Sequence, residues 1–303
     1  MSLLVVGSAA LDSVKTPFGS AEEVLGGSAV YFSASASFFT RVRLVAVVGE
    51  DFPEEHLRFL GDRGVDLEGI ERGQGATFRW RGEYGYDLNE PRTLETQLNV
   101  FERFGPKLPL AYRSTRYVFL ANIDPELQQA VLDQVESPRL VALDTMNFWI
   151  AGKGEALRSV VRNIHTLIIN ESETRQLAEE ANVVRAARKV LTWGPQSLVV
   201  KRGEYGALYF SPEGIFAAPA YPLDDVFDPT GAGDSFAGGF MGYLAASEDL
   251  TPAGIRRAIV FGSVMASFAV EAFSLERLRT LRYAEVEARY REFTRLVHFE
   301  PLE

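Results

Sequence analysis

The part of the chain whose residue types and spacing could do chemistry is Asp228-Pro229-Thr230-Gly231-Ala232-Gly233-Asp234-Ser235-Phe236-Ala237-Gly238-Gly239. Small residues at 231–233 let backbone N–H groups approach a ligand closely, and the pattern after them predicts a helix to about Ala246. A helix N-terminus offers unpaired N–H donors and partial positive charge, which suits a phosphate. Asp234 falls inside that first turn, where it would repel bound phosphate. It is there either as an ordinary N-terminal helix charge or as a base taking the proton of an alcohol that attacks phosphorus.

Competing motifs fail on inspection. No G-x-x-x-x-G-K-[ST] occurs, so a P-loop is excluded; a dinucleotide G-x-G-x-x-G would need glycine at Phe236, and a nucleophile elbow would need it at Ala237. The three histidines, His56, His165 and His298, show no metal spacing. The chain has no cysteine, which removes disulfide scaffolds, thiolate nucleophiles and Cys-type metal sites together. Its formal net charge of −10 argues against a nucleic-acid or anionic-membrane partner, so an anionic ligand must be held by local devices.

The elements that must position this segment follow from the apolar pattern. Short β-branched runs at Leu3–Val6, Arg43–Val48, Tyr117–Leu120, Leu140–Leu143, Thr166–Ile169 and Ser197–Val200 predict strands. Between them, helices are expected over Ser28–Phe39, Pro53–Gly61, Pro125–Val135, Glu155–Val161 and Glu171–Glu179, and almost everything from Asp234 onward reads as helical. Continuous apolar strands separated by helices imply an α/β fold with a doubly wound, mainly parallel sheet. The start, Met1 to Val6, reads as a first strand rather than a leader. The apolar stretch Ala258–Phe273 is too short to span a membrane and contains Ser263, Ser267 and Glu271, so a soluble, cytoplasmic protein is expected. With 303 residues, 47% hydrophobic and 24% charged, the chain is an ordinary globular one.

One segment breaks the rhythm. Across Thr77–Asn89 the even positions are Phe78, Trp80, Gly82, Tyr84, Tyr86 and Leu88, with Arg79, Arg81, Glu83 and Asp87 between them. Such alternation predicts a strand or hairpin with one aromatic face, either an edge strand or subunit interface, or a lid over a ligand.

At this point the sequence resembles a known family. Asp228–Asp234 is similar to the D-T-x-G-A-G-D signature of the ribokinase-like (PfkB-type) carbohydrate kinases, with Pro229 where threonine is common. The resemblance continues in order along the chain: Asp12 after the first strand, Gly26-Gly27 opening a helix, Val48-Gly49-Glu50-Asp51-Phe52, Gly64-Val65-Asp66, Asn170-Glu171-Ser172-Glu173 as N-x-x-E, and Lys201-Arg202-Gly203-Glu204-Tyr205-Gly206. It implies one ribokinase-like α/β domain over 1–303 with a small β-sheet lid, formed mainly by about 12–20 and 75–100. It further implies a kinase that uses ATP and Mg²⁺ to phosphorylate the hydroxymethyl group of a small carbohydrate, with a ribonucleoside as the alternative acceptor. A non-catalytic binding protein on the same fold is the alternative of another class, against which the intact Asp234 speaks.

The resemblance also assigns roles. Asp234 would be the catalytic base, and Gly231, Ala232 and Gly233 the anion hole. Asn170, Lys201, Gly203, Gly206 and Ser263 would meet ATP, with Glu173 and Asn170 holding the metal through water. Asp12, Gly26, Gly27 and Tyr31 would meet the acceptor. Taken alone, Asn170 and Glu173 read equally as a helix N-cap and its capping box, and Asp12 as a turn aspartate. Tyr31 stands where the family usually has asparagine, which suggests an aromatic face for a ring or base. Ser274 stands where the monovalent-cation loop has glycine, which argues against a potassium requirement. An exposed aromatic lid must be covered by ligand, main domain or a second copy, so a homodimer through the lid is a further expectation.

Overall fold

Strands buried on both faces need apolar side chains at every position, and the central strands supply them. The computed structural model describes residues 1–89, 91–298 and 300; residue 90 of the expected lid and the last residues of the expected 1–303 domain lie outside the described residues. Its strands are β1 (Ser2–Val6), β2 (Ala10–Thr16), β3 (Gly19–Gly26), β4 (Arg41–Val48), β5 (Asp66–Arg72), β6 (Phe78–Glu83), β7 (Arg92–Gln97), β8 (Tyr117–Leu120), β9 (Leu140–Leu143), β10 (Thr166–Asn170), β11 (Ser197–Lys201), β12 (Ala207–Ser211) and β13 (Gly214–Ala218). Nine of them form one sheet in the order β13-β12-β11-β10-β9-β8-β1-β4-β5, parallel from β11 to β5 with β12 and β13 antiparallel at one edge. Leu3 and Val5 of β1 enter one hydrophobic core and Leu4 and Val6 the other, so helices cover both faces as the continuous apolar runs require.

The chain leaves β1 toward β4 on one side and later returns as β8 on the other. The carboxyl ends of the strands beside such a reversal form a crevice where α/β sheets bind ligands. Asp144 follows β9, Asn170 ends β10 and Lys201 ends β11 along this rim.

Helix Ala232–Ser247, which opens at the glycine turn, is held by close backbone approach. A Cβ on Gly238 would stand 2.5 Å from the Phe32 carbonyl and 2.7 Å from Ser35 Cβ, and one on Gly239 would stand 2.7 Å from the Phe261 carbonyl. Ser35 Oγ donates to the Ser235 carbonyl at 2.6 Å. The helix is thus wedged between helices Ser28–Ala36 and Pro252–Ala269, and this fixes where its first turn points.

A second, four-stranded sheet, ordered β3-β2-β6-β7, stands apart from the first. It takes more of the chain than expected at its start, because Gly19–Gly26 returns antiparallel along β2. The aromatic strand is shorter than its alternation predicts. It ends at Glu83, after a register shift at Arg81/Gly82. Beyond it Gly85 loosens the chain, Asp87 accepts from the Asn89 N–H at 3.0 Å to form a turn, and Pro91 bars a regular ladder. Tyr86 is accordingly 94% exposed and shares no face with Trp80. The chain itself covers much of the rest: Phe78 stacks on Phe101, and Tyr84 reaches Thr230.

Alanine favours a helix by about 1 kcal/mol over glycine, so Gly238→Ala would stabilise an isolated helix. Here it should destabilise the protein by about 1–3 kcal/mol, because the added methyl meets backbone that cannot retreat. Urea denaturation midpoints give the sign; a midpoint above wild type would contradict the wedge.

Candidate active site

The turn comes first. Gly231 sits at φ +73°, and a Cβ there would lie 2.3 Å from the Tyr31 ring. Glycine is thus required twice, by conformation and by space. Ala232 N–H donates to the Pro229 carbonyl at 3.1 Å and Ser235 N–H to the Gly231 carbonyl at 2.8 Å. Among the described residues, no group accepts from the N–H of Gly231 or Gly233. Of the three amides expected to form an anion hole, Ala232's is therefore engaged within the turn and the two glycines' remain. Upstream, Asp228 is buried and locks the approach to the turn, accepting from Thr230 N–H at 2.9 Å and Ser274 N–H at 3.1 Å. Ser274 adopts φ +56°, the left-handed conformation glycine favours, and its hydroxyl donates to the Leu25 carbonyl at 2.5 Å.

Asp234, on the first turn of the helix, keeps part of its side chain open to the crevice while protein surrounds the rest. Burial pushes its carboxyl well above the ordinary aspartate range; Asp144, Asp12 and Glu173 push the same way, and Lys201 opposes them. Lys201 Nζ donates to Asp144 Oδ2 at 2.8 Å and lies against Gly233, where a Cβ would be 2.9 Å from it. Burial alone would lower Lys201, but Asp144, Glu173 and Asp234 outweigh it and hold the ammonium charged.

Asn170 and Glu173 form a capping box: Asn170 Oδ1 accepts from Glu173 N–H at 2.7 Å, and Glu173 Oε2 accepts from Asn170 N–H at 2.8 Å. The cap and the electrostatic role coexist, since Glu173 is buried and acts on both Lys201 and Asp234. Gly203, at φ +55°, opens a short turn, and a Cβ on it would fall 1.8 Å from Asn89 Oδ1 of the small-sheet loop. Gly206, at φ +87°, packs against the Ala218 carbonyl. Ser263 is buried on helix Pro252–Ala269, and among the described residues no hydrogen bond ties it to the turn.

Across the crevice, Asp12 on β2 is buried and accepts from the Gly27 N–H. Gly26 must be glycine because a Cβ would overlap the Asp12 carboxylate at 1.9 Å; Gly27, at φ +99°, lies over the Ser8 carbonyl. Burial lifts the Asp12 carboxyl to about 7, Gly27 opposing and Asp228 adding. Tyr31 differs from expectation in how it is presented. The residue is 1% exposed and its ring lies beneath Gly231, so the turn covers the ring face the sequence expected to be open. Tyr31 OH, Ser235 Oγ and Thr145 Oγ1 are among the buried polar atoms with no partner, a cost that a polar ligand would remove.

One residue here escaped sequence reasoning, and two that the sequence places on the aromatic strand make contacts it did not show. Asp144 was legible only as the first residue past a strand. Trp80 pairs with Asp12 in the parallel β2–β6 register and so shares its face. Its indole lies over Gly82, where a Cβ would be 2.3 Å from the ring, and its Nε1 donates to Thr93 Oγ1 at 3.2 Å. Four residues past Trp80, Tyr84 OH accepts from Thr230 Oγ1 at 3.3 Å, joining the small sheet to the turn.

This ribokinase-like fold, with a carboxylate inside a glycine turn at a helix N-terminus, defines a phosphotransferase that acts on an alcohol group. The model of the pfkB family carbohydrate kinases matches residues 7–277, and the chain belongs to that family. It is 30% identical over 249 residues to the cytidine kinase of Thermococcus kodakarensis, covering 80% of this chain and 87% of that one. The nucleoside kinase of Methanocaldococcus jannaschii superposes with a TM-score of 0.76 at 19% identity, covering 96% and 98% of the two chains. A fructokinase of Vibrio cholerae, solved in a fructose-, ADP- and calcium-bound form, superposes with a TM-score of 0.79 at 17% identity over 95% and 98%. Among the described residues no helix is long and apolar enough to cross a membrane, and no cluster of three His, Asp or Glu could hold a metal.

The Asp12 shift predicts a pH dependence of stability. The unfolded aspartate titrates near 3.8 and the folded one near 7, so between those values the folded state binds the extra proton. Asp12 therefore disfavours folding progressively as pH rises from about 4 to about 7. Asp12→Asn should raise stability at pH 8 by on the order of 2–4 kcal/mol, with the gain vanishing near pH 4. Denaturant titrations at both pH values check this; an equal difference at each would refute it.

Proposed function

We propose that the chain is an ATP-dependent kinase whose acceptor is a nucleoside, phosphorylated on the hydroxymethyl group of its ribose. The observation that carries the kinase chemistry is Asp234 inside the glycine turn, its carboxyl raised by burial and offset by Lys201. A raised carboxyl suits a general base working near neutrality. In the transfer, Asp234 takes the hydroxyl proton as the acceptor oxygen bonds to the γ-phosphorus. The bond from that phosphorus to the ADP oxygen breaks, and ADP keeps the electron pair. The N–H groups of Gly231 and Gly233, with the positive end of the helix behind them, stabilise the charge on the transferring group.

Mg²⁺ takes one or two carboxylates with phosphates and waters rather than an all-protein cage. A single buried Glu173 beside Lys201 fits that donor chemistry better than a three-carboxylate cluster would. Glu173 and Asn170 would hold the ion through water, and the ion would neutralise phosphate charge.

Asp12 supports the acceptor side: a buried carboxylate facing the crevice suits paired ribose hydroxyls. The indole of Trp80, on the same face, offers a stacking surface for a planar base, which a free sugar does not need. The 30% identity to a cytidine kinase points the same way. The small sheet then acts as a lid that joins acceptor and turn through Tyr84.

Asp234→Asn should lower kcat by at least ~10² while leaving the fold and ATP affinity near wild type; a folded variant with wild-type turnover would remove Asp234 as base. Trp80→Ala should raise the KM for nucleosides about 10-fold or more, with Trp80→Phe recovering most of it. An ADP-release screen over nucleosides, pentoses and hexoses decides the class. Turnover of free sugars with no response to Trp80→Ala would reject the nucleoside.

A further inference from the structure

The chemistry above gives Asp144 no task, yet every polar group it has is engaged. Its N–H donates to the Leu120 carbonyl at 2.9 Å, its carbonyl accepts from Gln128 Nε2 at 2.9 Å, Oδ1 accepts from Thr145 N–H at 2.8 Å, and Oδ2 accepts from Lys201 Nζ at 2.8 Å. A carboxylate pinned on all sides is poorly placed to meet a ligand and well placed to hold an ammonium still. β9 and β11 are not neighbours, since β10 lies between them, so the Asp144–Lys201 pair bridges the end of β10 where Asn170 stands. From that bridge the ammonium rests against the backbone of Gly233.

Lysine is a point charge on a flexible stem, and this one has acidic neighbours on more than one side. If it swung to Asp234, it would occupy the group that must accept a proton and vacate the turn. A fixed anchor prevents both.

We infer that Asp144 is a positioning residue for phosphoryl transfer. By fixing Lys201 Nζ beside Gly233, it keeps a cation next to the turn amides, where the phosphoryl group gathers negative charge, and keeps that cation off Asp234. The inference rests on the kinase reading of the same site.

A double-mutant cycle tests it, with wild type, Asp144→Asn, Lys201→Met and the double variant compared. For each, the affinity for a magnesium complex of a non-hydrolysable ATP analogue is measured by calorimetry, and kcat and acceptor KM by ADP release. Each single change should lower kcat about 10²-fold, comparable to losing one donor to a transition-state oxyanion, and weaken the analogue while acceptor KM holds near wild type. Asp144 also pushes on Asp234 directly, but if its main effect on turnover runs through Lys201, the double variant should be no slower than Lys201→Met. Losses that multiply, wild-type behaviour in Asp144→Asn, or an equal rise in acceptor KM would overturn the assignment. If Asp144→Asn fails to fold, Asp144→Glu takes its place: it keeps the charge but moves the anchor, and wild-type kcat there would overturn the assignment equally. A wild-type chain that binds no nucleotide would instead sink the kinase reading, a result distinct from any of these.

Discussion

Burying carboxylates is the constraint on which the rest of the structure depends. Asp12, Asp144, Glu173 and Asp228 are all buried, and Asp234 is enclosed on every side but the crevice. Each would be costly alone, and their mutual repulsion adds to the cost. The fold offsets this locally. Asp228 and Asp144 each accept from a backbone N–H, Asp12 accepts from Gly27, and Glu173 caps a helix. Lys201 is the ammonium at the centre. Burial, with the repulsion that remains, lifts Asp234 well above the ordinary aspartate range.

Bringing these groups close enough to act on one another demands backbone packed more tightly than side chains allow. Gly26 makes room for Asp12, Gly233 for Lys201, Gly231 for Tyr31, and Gly82 for Trp80. Four glycines on three different segments each clear space for one polar or aromatic group of the same crevice. The wedge around Gly238 and Gly239 does the corresponding work for the helix that carries Asp234. The crevice is thus set by tertiary packing of small residues, with propensity in a minor part.

That division explains what could be read from the sequence. Strands such as Tyr117–Leu120 and Leu140–Leu143 begin and end where their apolar runs do, because a doubly covered strand admits little else. The Asp228–Asp234 turn was legible because its chemistry is local: small residues, a helix start and a charge. Asp144 was not, since its meaning comes from Lys201, 57 residues away. Trp80 looked like one tooth of an alternating strand, and only the pairing of β6 with β2 sets it beside Asp12. Tyr86 looked equivalent to Trp80 but lies past the strand's end, where the turn at Asp87–Asn89 overrides periodicity. Tyr31 read as an open aromatic face because nothing in its own helix reveals that Gly231 lies on top of it.

A chain of net charge −10 that handles a polyphosphate must resolve a conflict between its long-range field and its short-range contacts. Beyond about 8–10 Å the field is screened at physiological salt, so it barely opposes binding. Inside the crevice, where screening fails, direction matters more than sum. The N–H groups of Gly231 and Gly233 and the helix N-terminus supply donors at the turn, and Lys201 lies against Gly233. On the kinase reading, a site that is acidic in total still accepts phosphate provided that Lys201 does not drift toward the wrong carboxylate. Geometry, more than charge count, is what the buried bridge across the end of β10 secures.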